Sequence, residues 1–444
     1  MKRTAIVVDG REMAVADFEK AEGLTVSGDL YLRDSAVRTL PEGLSVAGSL
    51  NLRDTAVKRL PKGLSVGGDL DLSGTAIQKL PDDLSVGGDL LLVGAAVRDL
   101  PGDLSVGGAL CLIGSAIETL PEGLSVGESL NLWDTAVERL PKGLSVGEDL
   151  HLSGAAIETL PGDLSVGGIL WLDGSAIETL PDNLSVGGSL KLCHTAVKRL
   201  PKGLSVGGSL DLSGTAIRDL PDDLSVGGGL YLSGTAVESL PDDLSVDGGL
   251  YLSGTAIKRL PKGLSSISGG LDLSGSAIET LPGCLRVADD LILSGTSVRH
   301  LPEKLSVGRH LDLSGSAIRR LPENLRVGRD LDLRDTAIKR LPKGLSVGGD
   351  LHLSGAAIRR LPGDLSVRGR LLLDGESVRD LPAARPADVV SEMAAALKAC
   401  LGYLNEQSRK IRAAERSARR EAARRRGQGR DKTRGRSMDG GMGR

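Results

Sequence analysis

Cys193 and His194 stand side by side, and a thiol next to an imidazole is the pairing from which a cysteine nucleophile is built. In an extended chain, however, neighbouring side chains point to opposite faces, so these two cannot share a proton. The other histidines are His151, His300, His310 and His352, and the other cysteines are Cys111, Cys284 and Cys400. None sits in an HExxH, GxSxG or CxxC arrangement, and no glycine-rich loop leads from a strand into a helix to cradle phosphate. Cys400, in KACLGYLNE, shares a stripe with Met393, Leu397, Leu401 and Leu404, spaced by threes and fours, the pattern of a packed residue. Asp312 and Asp332 recur one repeat apart. Calcium needs several converging oxygens, and a ladder of single carboxylates is a solvated face. The expectation is a chain with no enzymatic activity, no cofactor, no metal and no small-molecule substrate.

What positions these residues is a repeat. Residues 58–77 read KRLPKGLSVGGDLDLSGTAI, and residues 198–217 repeat them with one change, Asp69 to Ser209. The pair Leu-Pro recurs at a constant interval, from Leu40-Pro41 and Leu60-Pro61 to Leu260-Pro261 and again from Leu281-Pro282 to Leu381-Pro382, 18 copies in all. The one phase slip is an extra serine in GLSSISGGLDL. A fixed period of this kind means that each unit buries its apolar face only against its neighbours. Phe18 is the only phenylalanine, which suits thin coils filled by Leu, Val, Ile and Ala. Charge is unevenly spread. Residues 383–444 carry 16 Lys/Arg against 7 Asp/Glu and residues 283–382 carry 17 against 13, so with a net charge of −3 the stretch 1–282 holds −16. Cys111 and Cys193 lie four repeats apart, about 20 Å at one strand spacing per coil. That is too far for a disulfide, and the cysteines read as free thiols of a reducing compartment.

Within one unit, Leu64 and Val66 alternate with Ser65, and Leu70 and Leu72 with Asp71, so both segments are extended with the apolar residues on one face. Gly67-Gly68 between them is expected to turn the chain with positive φ, and Ser73-Gly74-Thr75 forms the other corner. Ile77 and Leu80 complete the inward set, and Pro81 forbids a helix at that point. Stacked coils then form a parallel ladder along the LxL segments. The predicted architecture is a repeat solenoid, a curved rod of 18 mostly extended coils of about 20 residues, roughly 85 Å long, with a C-terminal helix.

The segment LDLSGTAIQKLP, from Leu70 to Pro81, and its 17 counterparts resemble the leucine-rich repeat, LxLxxNxLxxLP. The LPxxL ending and short period look like the bacterial subtype of type III secreted effector proteins. The resemblance covers residues 23–382. It implies a superhelix with a parallel β ladder and a protein-binding role. It departs from the subtype where asparagine is replaced by Thr75, Ser115 or Ala155, so a full asparagine ladder is not expected. The LSVGG segment is also unusually strand-like, which leaves a generic β-solenoid open. Some members of that subtype carry a C-terminal ubiquitin-ligase domain, for which the residues after Pro382 are too few.

The middle residue of LxL points outward and is the most varied position. Three of the four tyrosines and one of the two tryptophans fall in it. Leu91, Val93, Cys111, Ile113, Trp133, Ile169 and Trp171 cluster in repeats four to eight, on or beside this face. Either a protein partner contacts such an apolar patch, tryptophan being a preferred anchor, or variation has accumulated on a tolerant surface. Tyr231 and Tyr251, on adjacent coils, form a second candidate contact. The loop-edge pairs such as KR…KG and RD…DD travel with their repeats, as copied blocks would.

The expected organisation is an N-terminal cap (1–22), the solenoid (23–382), a helix with a basic second half (383–426) and a disordered basic tail (427–444). AIVV at residues 5–8 reads as a cap strand and the run from Arg11 to Lys20 as a short helix. The first functional expectation is a non-enzymatic scaffold, an effector or adaptor, binding a protein partner along the outward strand face. The alternative is a nucleic-acid- or polyanion-associated protein anchored by Arg419, Arg420, Arg424, Arg425 and Arg426. No stretch is long enough to span a membrane, and no secretory signal is evident. The expected location is cytoplasmic, with type III or other non-classical secretion left open.

Overall fold

The computed structural model describes residues 3–358, 361–373 and 376–378. The alternating segments fold as two short strands per coil. In the third coil these are Ser65–Val66 and Leu70–Asp71. Each pairs in parallel with its equivalents in the coils before and after, Val66 with Val46 and Val86, Leu70 with Leu50 and Leu90. The LxL strands make an inner ladder of 18 coils, numbered here from the coil of Leu30–Tyr31 to that of Leu371–Leu373. It is an open sheet. Among the described residues the Leu30–Tyr31 strand pairs only with Leu50–Asn51, and at the far end Leu371–Leu373 is met by the antiparallel strand Glu376–Val378.

The leucines of the inner strands face the interior, with Leu70, Leu72 and Ile77 fully buried and Leu64, Val66 and Leu80 nearly so. The asparagine-like position is also buried. The Thr75 hydroxyl donates to the carbonyl of Leu72 at 2.7 Å, and Thr215, Thr255, Ser276 and Thr336 repeat this bond in their own coils. The hydroxyl therefore closes its own corner and does not link coils. Ala155 fills the same place without a bond, and the Ser115 and Ser175 hydroxyls are buried there unbonded.

The turns differ from expectation. Gly67 and Gly68 do not take positive φ; that conformation belongs to Gly63 and Gly74, at φ 69° and 66°. Gly67 is glycine for a different reason, since a Cβ there would run into the carbonyl oxygen of Ala47 one coil below. The corner occupied by Gly74 is filled in other coils by Asp54, Asp134, His194 and Asp335, all at positive φ. Gly114 sits at this corner with φ 58° and nothing closer than 3.8 Å to an added Cβ. Gly114→Asp should therefore leave the denaturant midpoint nearly unchanged. Gly114→Val, β-branched in a left-handed conformation, should lower stability by about 1–2 kcal/mol.

The Ser-Val strands form an outer ladder, from Thr25–Val26 to Ser245–Val246 and then from Ser266–Ile267 to Ser366–Val367. The break falls between Ser245–Val246 and Ser266–Ile267, across the extra serine, and in the coil before it Asp247 stands in place of the turn glycine, its N–H 3.5 Å from the Val226 carbonyl. The inner ladder runs through unbroken, Leu250 pairing with Leu271 and Tyr251 with Asp272. The insertion is thus absorbed on one side of the coil.

The N-terminal cap is a hairpin, β1 (Ala5–Val8) with β2 (Arg11–Ala14), followed by a single helical turn, α1 (Val15–Phe18). The expected helix from Arg11 is corrected accordingly: Arg11–Ala14 pairs with AIVV, and only the short run ending at the fully buried Phe18 turns helical. In the outer ladder each coil's N–H groups donate backward, as Gly87 does to Val66 at 2.9 Å. The first coil has no predecessor, and Asp9 takes its place, accepting from the N–H of Ser27 at 3.0 Å and of Gly28 at 3.3 Å. These bonds hold the Asp9 carboxyl below its ordinary pKa. The expected C-terminal helix, residues 383–426, and the tail beyond it lie outside the described residues.

Candidate protein-binding face

Three outward columns run along the inner ladder: the middle residue of each LxL, the residue two before it, and the residue two after it. Side chains alternate in a strand, so these three share a face while the leucines between them point inward.

The column two residues before the middle of LxL explains the difference between the two near-identical repeats. The Asp69 carboxylate accepts the N–H of Asp89 in the next coil at 2.9 Å, and the Ser209 hydroxyl accepts the N–H of Gly229 at 3.0 Å. Asp29, Ser49, Asp149, Asp290 and Asp330 do the same for the coils above them. Asp and Ser are interchangeable because either supplies one short acceptor. This column is a structural staple between coils, and it was indistinguishable in the sequence from a solvated surface.

At Gly229 and Gly249, two of the positions without a staple, the space is taken by rings. An added Cβ at Gly229 would lie 3.1 Å from the Tyr231 ring, and at Gly249 2.7 Å from that of Tyr251. The two rings stack, centroids 4.4 Å apart and nearly parallel. The Lys191 ammonium sits 5.4 Å from the Tyr231 centroid and 3.6 Å from the Asp211 carboxylate. The pair Tyr231–Tyr251 is therefore half-buried and held in place. Burial raises the pKa of Tyr251.

The apolar candidates fall in two groups. Leu91 and Val93, Cys111 and Ile113, and Trp133 occupy coils four to six. Val93 and Trp133 are the exposed members, Trp133 at 57%. Ile169 and Trp171 stand in coil eight, separated from the first group by Asp149, His151 and Ser153 in coil seven. His151 bridges the gap, its ring stacked on Trp171 with centroids 5.5 Å apart. The Trp171 indole N–H is buried without an acceptor, so stacking and packing alone position it. Trp171 points outward from the strand, as its place between two inward leucines requires, and its ring is half-buried.

Cys193 also lies on this face. Burial first, and then the neighbouring Asp211 and Asp173 carboxylates, push its thiol up to about 12. Its neighbour His194 turns the corner at positive φ, so the pair makes no nucleophilic dyad. Burial raises Cys111 as well, whereas Cys284 is exposed. The thiolate is the reactive form. Alkylation at pH 8 followed by peptide mapping should modify Cys284 before Cys111 or Cys193. Cys193 should react about 1,000-fold more slowly, its thiolate being scarcer by roughly three pKa units than that of a free cysteine. Equal labelling of the two would contradict this environment.

A feature not evident in the sequence is a groove of ≈ 610 Å³ between the hairpin and the first coil, lined by Val7, Asp9, Glu12, Asp29 and Tyr31. Val7 and Tyr31 are, with Val93 and Trp133, the exposed large apolar side chains among the described residues. The Tyr31 hydroxyl donates to Asp29 at 2.9 Å. Among the described residues no group of three or more His, Cys, Asp or Glu is placed to hold a metal ion, and no helix is long and apolar enough to cross a membrane. Arg419, Arg420, Arg424, Arg425 and Arg426 lie outside the described residues.

No protein-family model and no curated protein matches the chain. Solved structures do. The leucine-rich effector protein YopM of Yersinia pestis aligns over 78% of this chain and 88% of its own, at 21% identity and a TM-score of 0.42. YopM of Yersinia enterocolitica aligns over 78% and 91%, at 20% identity and a TM-score of 0.43. A leucine-rich-repeat protein of Leptospira interrogans aligns over 67% and 80%, at 20% identity and a TM-score of 0.40. On its own regular period, its parallel inner ladder and its buried LxL leucines, the chain is a β-solenoid of stacked parallel-strand coils of about 20 residues.

Proposed function

We propose that this protein is a non-enzymatic scaffold that binds a protein partner along the outward face of the inner ladder, with coils four to eight as the principal contact. The observation that carries this reading is Trp133. It is 57% exposed on a scaffold whose inward positions hardly vary, and Val93 and Ile113 precede it in the same column. Large aromatic side chains left in water beside aliphatic neighbours are the usual anchors of protein interfaces. Tyr231 and Tyr251 form a secondary contact, presenting ring edges and hydroxyls at a fixed spacing. An effector or adaptor role is the finer form of the proposal, and it rests on the resemblance of the repeats.

The test is capture of partners by the full chain and by a Trp133→Ala/Trp171→Ala variant, with unfolding of both followed in parallel. Loss of a captured protein with an unchanged fold supports the reading. Capture that depends instead on residues 405–444 and is abolished by nuclease would favour the polyanion alternative.

A further inference from the structure

The edge of each coil just before its Leu-Pro pair carries a charge pattern that the binding face does not explain. In coils 14 to 16 this column reads Arg299, Arg319 and Lys339, all exposed and, among the described residues, in no ion pair. In coils six to eight the same column reads Glu138, Glu158 and Glu178, likewise exposed and unpaired. The edge is ordered: isolated bridges pair Thr159 with Thr179 and His300 with Arg320, so both stripes advance by one strand spacing per coil. Like charges directly opposite on neighbouring strands repel, and each stripe places three in a row.

We propose that the two stripes are the halves of an antiparallel, two-fold interface between two copies of this chain. The numbering of the coils makes the match. With the axis at coil 11, Glu178 meets the other copy's Arg299, Glu158 meets Arg319, Glu138 meets Lys339, and one coil nearer the axis Lys198 meets Glu279. Symmetry repeats each contact, giving eight opposite-charge pairs at one common period. Against them stand Arg218 meeting Lys258 twice, and Glu238 meeting its own copy on the axis. A parallel pairing would use each stripe once and leave the other free, generating an open array, whereas the two-fold arrangement closes and uses both. A nucleic acid is the competing occupant of the basic stripe. It fits less well, because it leaves the acidic stripe unused and must approach a chain whose stretch 1–282 holds −16. This surface is separate from the proposed partner face, and its test does not depend on that face.

The experiment is sedimentation of the full chain and of two exposed-charge variants. Wild type should sediment as a dimer at about 50 mM salt and dissociate by about 0.5 M, where the screening length has fallen to a few ångströms. Arg319→Glu/Lys339→Glu and Glu138→Lys/Glu158→Lys should each be monomeric at low salt, with unfolding curves like wild type. Mixed in equal amounts, the two variants should restore the dimer. A wild type that is monomeric at low salt, a dimer indifferent to either variant, or a mixture that fails to associate would overturn the proposal. So would a wild-type monomer that retains duplex DNA through the basic stripe.

Discussion

Leu172→Ala should lower the stability of the array by roughly 2–5 kcal/mol, the range for removing a large buried aliphatic side chain. Leu172 has no exposed surface. Its N–H donates to the Lys191 carbonyl at 2.8 Å and its own carbonyl accepts from Ser175 at 3.0 Å, so the backbone is pinned on both sides and has little freedom to collapse into the cavity. Leu152 and Leu192, equally buried one coil to each side, lose contact area together with it. Because coils are stabilised by their neighbours, the damage should be local. Hydrogen exchange should quicken in coils seven to nine before it does near either end. An unchanged denaturant midpoint would mean that the assignment of inward and outward faces is wrong.

Trp133→Ala should do the reverse. With 57% of the side chain in solvent, its removal should cost little stability and should weaken partner binding by about 2 kcal/mol or more, some thirtyfold in affinity, as loss of an aromatic anchor does. Trp171→Ala is a mixed probe. Its ring is half-buried and stacked on His151, and losing an aromatic pair costs about 0.5–1.5 kcal/mol beyond the area lost. A binding defect at Trp171 therefore has to be read against its unfolding curve, whereas one at Trp133 stands alone. If Trp133→Ala alters neither binding nor stability, the contact moves to Tyr231 and Tyr251.

The coil was legible because its interior depends on period alone. Leu70, Leu72 and Ile77 recur in phase, and any chain that alternates this way must bury them. The outward column was legible for the same reason, as the residue between two buried leucines. What escaped notice depends on contacts between successive coils. Asp69 and Ser209 look like surface residues until the N–H of the next coil is placed above them. Gly229 and Gly249 look like drift until the tyrosine rings are seen lying across them. Asp54 and His194 look polar and incidental, yet they occupy a left-handed corner that Gly74 occupies elsewhere. The turn glycines were assigned the wrong reason, since Gly67 is constrained by a carbonyl one coil below and not by its own φ. The break in the outer ladder, between Val246 and Ile267, falls at the inserted serine, whose extra residue is taken up on that side of the coil while Leu250 still pairs with Leu271.

The central claim is that a nearly unvarying coil presents an edited face to a protein partner, with Trp133 as its anchor. It is tested most directly by titrating whatever protein the full chain captures against wild type and Trp133→Ala, with denaturant midpoints measured on the same preparations. The account predicts a fall of about thirtyfold in affinity for Trp133→Ala with midpoints that coincide. Equal affinities, or a loss of affinity that appears only together with a lowered midpoint, would contradict it.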